Sequence, residues 1–182
     1  GKTVSIGAAG SGVYFNAIDI LGVYGLTEDD IKPTYQAFGD SAESLQDGQI
    51  DAAFIVAGAP TTAVTTLAAG RKVSLIGLDD EHVQKLLKSS PYYMPTTIAK
   101  DVYGTAQDVK TVAVGAVVVA REDVSETDVQ NFLTGIFDHL PEITAAHAKG
   151  GELNLDFAVS YKAVPYHPGA VKFFAAKGVK VQ

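Results

Sequence analysis

The chain has 182 residues, of which 47% are hydrophobic, so it can form one domain or one and a half with a sizeable core. Its net charge is −7 and it has only two arginines, which argues against nucleic acid as a partner. The lack of cysteine excludes thiol catalysis and iron–sulfur clusters, and no stretch of about 18 apolar residues occurs that could span a membrane.

The first segment predicts a strand, a glycine-rich turn and the start of a helix. A strand is expected over Thr3–Ile6 and a buried helix over Ser11–Tyr24. Between them, Gly7, Gly10 and Gly12 remove side chains where a ligand could approach the backbone. Because a helix start offers unpaired N–H groups and the positive end of the helix dipole, this turn is a candidate anion site.

The glycine-rich turn does not fit the phosphate-binding motifs. The P-loop lysine is missing, since no lysine lies between Lys2 and Lys32, and Phe15 occupies the third glycine position of the dinucleotide fingerprint. A carboxylate needs only a few N–H donors and a hydroxyl, which the backbone and Ser11 offer. The alternative is a tight strand-to-helix turn whose glycines serve packing alone.

Strands and helices alternate through the first half of the chain. The elements predicted after the first helix are a helical turn at 27–30, a strand at 33–37, a short helix at 40–45, a strand at 52–56, a helix at 61–69, a strand at 73–77 and a helix at 80–88. This order predicts an α/β fold with a mostly parallel sheet covered on both faces. The turns at 7–12 and 57–61 would then lie at the same carboxyl edge, where open α/β sheets bind ligands.

The second half changes from strands to helices. The predicted elements are an aromatic loop at 89–95, an extended segment at 96–98, a strongly β-like run at 112–120, a long helix from the Ser125 cap to about His139, a helix at 142–148 and a last helix that starts after His167 and ends near Lys177. We therefore divide the chain into an α/β lobe, residues 1–121, and a C-terminal helical segment, residues 122–182.

Five stretches, in this order and spacing, carry a family resemblance. They are Gly1-Lys2-Thr3-Val4-Ser5-Ile6-Gly7-Ala8-Ala9-Gly10-Ser11-Gly12, Tyr24-Gly25-Leu26-Thr27-Glu28-Asp29-Asp30-Ile31, Leu45-Gln46-Asp47-Gly48-Gln49-Ile50-Asp51-Ala52, Ala57-Gly58-Ala59-Pro60 and His167-Pro168-Gly169-Ala170. With them the chain resembles the TAXI-type substrate-binding proteins, the solute receptors of tripartite ATP-independent periplasmic (TRAP) transporters. The resemblance implies a type II periplasmic-binding fold, a periplasmic or extracytoplasmic location and membrane permease subunits as partners, with no catalysis and no cofactor.

The resemblance also implies a first lobe that precedes Gly1 in the family and is not in this sequence. The chain is then expected to be a second lobe plus the helices that return to the first. Helices without their usual sheet would expose an apolar face, so self-association is expected.

The candidate ligand residues come from the predicted turns and from two later positions. They are Gly10, Ser11, Gly12, Val13, Ala57, Gly58, Ala59, Tyr93 and Arg121. Backbone N–H groups and the Ser11 hydroxyl would fix a carboxylate, Tyr93 would close over the ligand and Arg121 would form a bidentate pair. The alternatives are helix capping for Ser11, loop packing for Tyr93, and a hinge or a surface salt bridge for Arg121. No metal site is expected, because His139 and His147 lack partners at ligand spacing.

The predicted function is capture of a small carboxylate, such as glutamate, glutamine or an organic acid, for uptake. One alternative is the ligand-sensing domain of a regulator. Another is a hydrolase or transferase that uses Ser11, although the sequence places no base beside it.

Overall fold

The computed structural model describes residues 1–70, 74–162 and 164–181, and these form two compact units. The first unit is Gly1–Val114 and the second is Gly115–Gln182. Within the described residues, none of the helices has the length and apolar character that crossing a bilayer requires.

The first unit contains the strands and five helices of the described chain. In order they are β1 (Thr3–Ser5), α1 (Gly12–Val23), a 3-10 turn (Glu28–Asp30), β2 (Lys32–Thr34), α2 (Phe38–Gln46), β3 (Ala52–Ala53), α3 (Thr62–Gly70), α4 (Asp80–Ser89), β4 (Tyr93–Ile98), α5 (Lys100–Tyr103) and β5 (Val109–Val114). The alternation of strands and helices confirms the predicted α/β class.

Three of these strands form a parallel sheet in the order β2-β1-β3. Val4 of β1 pairs with Pro33 on one side and Ala52 on the other. Val4 and Ile6 are buried against Ala17 of α1, so the apolar face of this helix closes the core over the sheet. Two strands are shorter than predicted, since β2 ends at residue 34 and β3 at residue 53.

The other two strands, β4 and β5, form a separate antiparallel pair that the sequence did not predict. Its register joins Tyr93 to Val114 at one end and Ile98 to Val109 at the other. The predicted strand at 112–120 is therefore wrong beyond residue 114, because β4 offers no residue opposite 115–120. The aromatic loop predicted at 89–95 is wrong at its end, because β4 begins at Tyr93 and residues 93–95 are strand. Of the strand expected at 73–77, Val73 lies outside the described residues, and 74–77 are irregular.

The second unit is helical. It contains α6 (Glu126–Asp138), α7 (Leu140–Ala146), a 3-10 segment (Ala148–Glu152), α8 (Leu155–Ala158) and α9 (Pro168–Ala176). Its helix starts follow the sequence signals. The Ser125 hydroxyl caps α6 by accepting from the N–H of Asp128 at 3.0 Å, and the His167 ring caps α9 by accepting from the N–H of Gly169 at 3.1 Å. The predicted Ser125 cap is confirmed, and His167, which its place before a proline at a helix start predicts to be a cap or a packing residue, is a cap.

Candidate functional site

The carboxyl edge of the parallel sheet gathers three loops. They are residues 6–11 after β1, 35–37 after β2 and 54–61 after β3. Two hydrogen bonds continue the sheet into these loops: the N–H of Ile6 donates to the carbonyl of Thr34 at 3.0 Å, and the N–H of Phe54 donates to the carbonyl of Ser5 at 2.8 Å. Because the strands are parallel neighbours, the turns at 7–12 and 57–61 leave the sheet at one edge, as the sequence predicted.

The first turn has a backbone path that requires glycine. Gly7 has φ +90°, and a Cβ built there would lie 2.6 Å from the Cβ of Val13 and 2.9 Å from the hydroxyl oxygen of Ser11. Gly10 also has positive φ, at +75°. A hydrogen bond of 3.0 Å from the N–H of Ser11 to the carbonyl of Ala8 closes the turn. The turn between β1 and α1 therefore leaves no room for a side chain at position 7.

Ser11 occupies the N-cap position of α1 without using its side chain as a cap. Its carbonyl accepts from the N–H of Tyr14 at 3.3 Å, whereas its hydroxyl is buried and has no hydrogen-bond partner among the described residues. The N–H groups of Gly12 and Val13 belong to the first helical turn, where no earlier helical carbonyl is available to them. The Ser11 hydroxyl, unpaired within the described chain, and the N–H groups of Gly12 and Val13 therefore all belong to the start of α1, at the positive end of its dipole.

The second turn presents backbone from the loop after β3. Ala57 and Gly58 are exposed and Ala59 is half-buried. At the start of α3, the N–H of Thr61 is already engaged, since it donates to the Tyr103 hydroxyl at 2.9 Å. This turn thus offers its exposed backbone before residue 60 rather than the N–H of Thr61.

Tyr93 is placed by contacts that the sequence did not reveal. It is buried at the start of β4, its hydroxyl donates to the Asp19 carboxylate at 2.7 Å, and it accepts from the Asn16 amide at 2.8 Å. Burial, above all, and the Asp19 carboxylate together raise the pKa of Tyr93 to about 12. The tyrosine fastens β4 to α1, and its contact with a ligand stays a prediction.

Arg121 belongs to the second unit and forms a surface ion pair. Its Nε lies 3.0 Å from the Asp123 carboxylate, and both side chains are largely exposed. This ion pair agrees with the surface salt bridge predicted as an alternative role for Arg121. Bidentate binding of a ligand by Arg121 stays a prediction.

Sequence reasoning missed a cluster of aromatic residues beside the first turn. The Tyr14 hydroxyl donates to one oxygen of Glu28 at 2.9 Å, and the Tyr35 hydroxyl donates to the other. These hydrogen bonds to Glu28 raise the pKa of both tyrosines. Phe15 stands next to them and is 63% exposed. The signal in the sequence was the Tyr14–Phe15 pair directly after the glycine turn.

A concave surface also occurs in the second unit, where a groove of about 430 Å³ is lined mostly by apolar side chains. Phe137, Leu140 and Leu155 contribute to it, together with Lys177. Among the described residues, no group of three histidine, aspartate or glutamate side chains could hold a metal ion. Within the part of the chain that the structure describes, the sheet edge has an unpaired buried hydroxyl and free helix-start N–H groups, and we take it as the candidate solute site.

A parallel sheet with two turns at its carboxyl edge is consistent with a lobe of the periplasmic-binding type. The chain belongs to the NMT1-like family, whose model matches residues 1–178. This is a family of periplasmic solute-binding proteins. Membership supports the predicted binding role, with a small-molecule ligand and transporter partners in general.

Proposed function

We propose that this protein is an extracytoplasmic receptor that captures a small carboxylate and delivers it to the permease of a TRAP-type transporter. The observation that carries the proposal is the Ser11 hydroxyl, which is buried at the start of α1 and has no partner among the described residues. An unsatisfied buried hydroxyl is costly unless a ligand or water completes it.

In the proposed complex, the carboxylate takes the place of the missing partner. One oxygen accepts from the Ser11 hydroxyl, and the other accepts from the N–H groups of Gly12 and Val13. Ala57, Gly58 and Ala59, of which the first two are exposed, form a second wall of the site at the same sheet edge. The polar groups of Tyr93 and Arg121 pair with other side chains in this structure, and their contact with the ligand stays a prediction.

The assignment to a TRAP-type transporter rests on the resemblance of the five stretches to TAXI-type receptors. The choice of a carboxylate as the ligand rests on the hydrogen-bond donors around Ser11.

Self-association belongs to the same proposal, since the second unit exposes the side chains of Val118, Val119 and Phe132 by 78%, 76% and 52%. Val118 and Val119 are adjacent in the chain, and exposed apolar side chains that form a contiguous patch mark association sites. Sedimentation velocity at rising concentration should show a dimer, and a monomer throughout would contradict this part.

Calorimetric titration of the full chain with acetate, glutamate and succinate tests the receptor proposal. At least one should bind, and Ser11→Ala should weaken it about tenfold, as loss of a hydrogen bond to a charged group worth roughly 1.5 kcal/mol implies. Ser125→Ala is the matched control, since it removes the cap of α6 in the second unit and should leave affinity unchanged. If Ser11→Ala binds as the parent does, the proposed site is wrong. Hydrolysis of p-nitrophenyl acetate that disappears in Ser11→Ala would support the hydrolase alternative instead.

A further inference from the structure

Three aromatic side chains beside the proposed carboxylate site form a continuous surface, which we name the aromatic wall: Tyr14, Phe15 and Tyr35. The ring centroids of Tyr14 and Phe15 are 5.4 Å apart in an edge-to-face arrangement, and those of Tyr14 and Tyr35 are 6.4 Å apart. Phe15 is 63% exposed and Tyr35 is 49% exposed. A single exposed aromatic side chain is normal, but several that form one contiguous patch mark a surface that binds a ligand or a partner.

The aromatic wall adjoins the turn that holds Ser11. Tyr14 and Phe15 follow Ser11 by one helical turn, and the N–H of Tyr14 donates to the Ser11 carbonyl. Residues three and four apart lie on the same side of a helix. Tyr35 comes from the neighbouring loop, directly after Thr34, whose carbonyl accepts from the N–H of Ile6. A ligand anchored at the start of α1 thus has the aromatic wall next to it.

Glu28 holds the two tyrosine rings of the aromatic wall in place. Each of its carboxylate oxygens accepts a hydrogen bond from one tyrosine hydroxyl. Glu28 itself stands in a 3-10 turn that a reciprocal cap between Thr27 and Asp30 fixes. With their hydroxyls engaged, the tyrosines offer ring faces and edges rather than polar tips. Rings that are ordered before binding lose little entropy when a ligand packs on them.

We infer that the aromatic wall selects carboxylates with an apolar, ring-bearing carbon skeleton, an inference that rests on the proposed carboxylate site. Aromatic rings contact such a skeleton over a large area and prefer stacked or edge-to-face partners. The negative charge of Glu28 disfavours a second carboxylate on the ligand beside it. The expected class is therefore an arylalkyl monocarboxylate, and a dicarboxylate such as glutamate or succinate binds more weakly.

Titration of the full chain with acetate, 3-phenylpropionate and succinate tests this inference, because the first two differ only in the arylalkyl group. 3-Phenylpropionate should bind at least tenfold more tightly than acetate, and succinate no more tightly than acetate. Phe15→Ala and Tyr35→Ala should each reduce the preference for 3-phenylpropionate at least threefold, whereas Tyr35→Phe, which keeps the ring, should retain most of it. Tyr92→Ala is the control, since Tyr92 is 51% exposed and outside the aromatic wall.

The outcomes separate this inference from the proposed function. Ser11→Ala should weaken acetate and 3-phenylpropionate by the same factor, because it acts on the carboxylate that they share. Equal affinities for the two ligands, or a preference that survives Phe15→Ala and Tyr35→Ala, would overturn the aromatic selection and leave the receptor proposal standing. Glycine betaine, a carboxylate with a quaternary ammonium group, is titrated in the same way. If it binds more tightly than 3-phenylpropionate, the aromatic wall selects cationic rather than apolar ligands, and the inference is wrong. If none of the carboxylates binds, both proposals fall. Circular dichroism melts of every variant verify that it is folded.

Discussion

Gly7 and Val13 approach each other so closely that a methyl group on Gly7 would lie 2.6 Å from the Cβ of Val13. Gly7 also has φ +90°, a backbone conformation that side chains disfavour. We expect Gly7→Ala to destabilise the first unit by at least about 2 kcal/mol, because overpacking and backbone strain add. The urea midpoint followed by far-UV circular dichroism measures this loss, and carboxylate affinity should fall with it.

Gly10→Ala is the matched control for that change. Gly10 has φ +75°, but a Cβ built there meets nothing within 4 Å. Only the backbone strain of roughly 1–2 kcal/mol should appear. Equal losses for the two variants would show that the contact with Val13 is not what makes glycine necessary at position 7.

Ser11 and Ser125 both stand at helix N-caps, but only Ser125 caps with its side chain. Ser125→Ala should therefore cost about 1 kcal/mol. Ser11→Ala removes a buried hydroxyl without a described partner, so its cost in the ligand-free protein should be below about 0.5 kcal/mol. Urea unfolding of both variants makes the comparison. A loss at Ser11 as large as that at Ser125 would mean that the hydroxyl caps α1 in solution.

Local signals explain what the sequence predicted well. The glycines between β1 and α1, the Ser125 cap and the His167 cap act within a few residues, and their backbone geometry follows from residue type. Alternation of strands and helices was enough for the α/β class and for placing two turns at one sheet edge. Each of these inferences needs only short-range or topological information.

Long-range pairing explains what the sequence did not predict. The run at 112–120 is uniformly apolar, yet β5 ends at Val114 because its partner begins at Tyr93. Nothing local reveals that the Tyr93 hydroxyl meets Asp19, which lies 74 residues earlier. The aromatic wall was missed for the same reason, since Tyr14 and Tyr35 converge on Glu28 only after α1 packs on the sheet.

The Asp79 carboxylate makes the stability of the first unit depend on pH. It caps α4 by accepting from the N–H of His82 at 3.1 Å, and it also accepts from the Tyr24 hydroxyl at 2.9 Å. The backbone N–H of His82, followed by the His82 ring, lowers the pKa of Asp79 from 3.8 to about 2. A lowered pKa stabilises the fold above the unfolded value, and this contribution disappears as the pH falls from 3.8 through about 2.

Two variants of Asp79 isolate this effect. Asp79→Asn keeps a cap acceptor but removes the charge, so the parent should be more stable at pH 5 and the difference should shrink towards zero near pH 2. Asp79→Ala removes the cap as well, so it should remain less stable than the parent at both values. Thermal melts from pH 5 to pH 2 measure the two differences. If the gap between the parent and Asp79→Asn stays constant over that range, the carboxylate does not titrate as the contacts imply.

Gly169 sets how closely α9 approaches α6. A Cβ built on Gly169 would lie 2.5 Å from the carbonyl oxygen of Glu126 and 3.0 Å from the Cβ of Val129. Since the nearest atom belongs to the backbone, the two helices would have to separate, and Phe173 would lose contact with Phe137, whose ring centroid is 5.5 Å away. We expect Gly169→Ala to cost roughly 1–3 kcal/mol in the second unit.

Gly135→Ala provides the opposite case within the same unit. Gly135 lies inside α6, is exposed, and has nothing within 4 Å of a built Cβ. Alanine there should stabilise the helix by up to about 1 kcal/mol, because it restricts the unfolded chain and favours the helical backbone. The two substitutions are chemically identical, so opposite shifts of the urea midpoint would show that contact with Glu126, rather than the change in residue type, decides the sign. A stabilising Gly169→Ala would mean that α6 and α9 are not packed at this distance in solution.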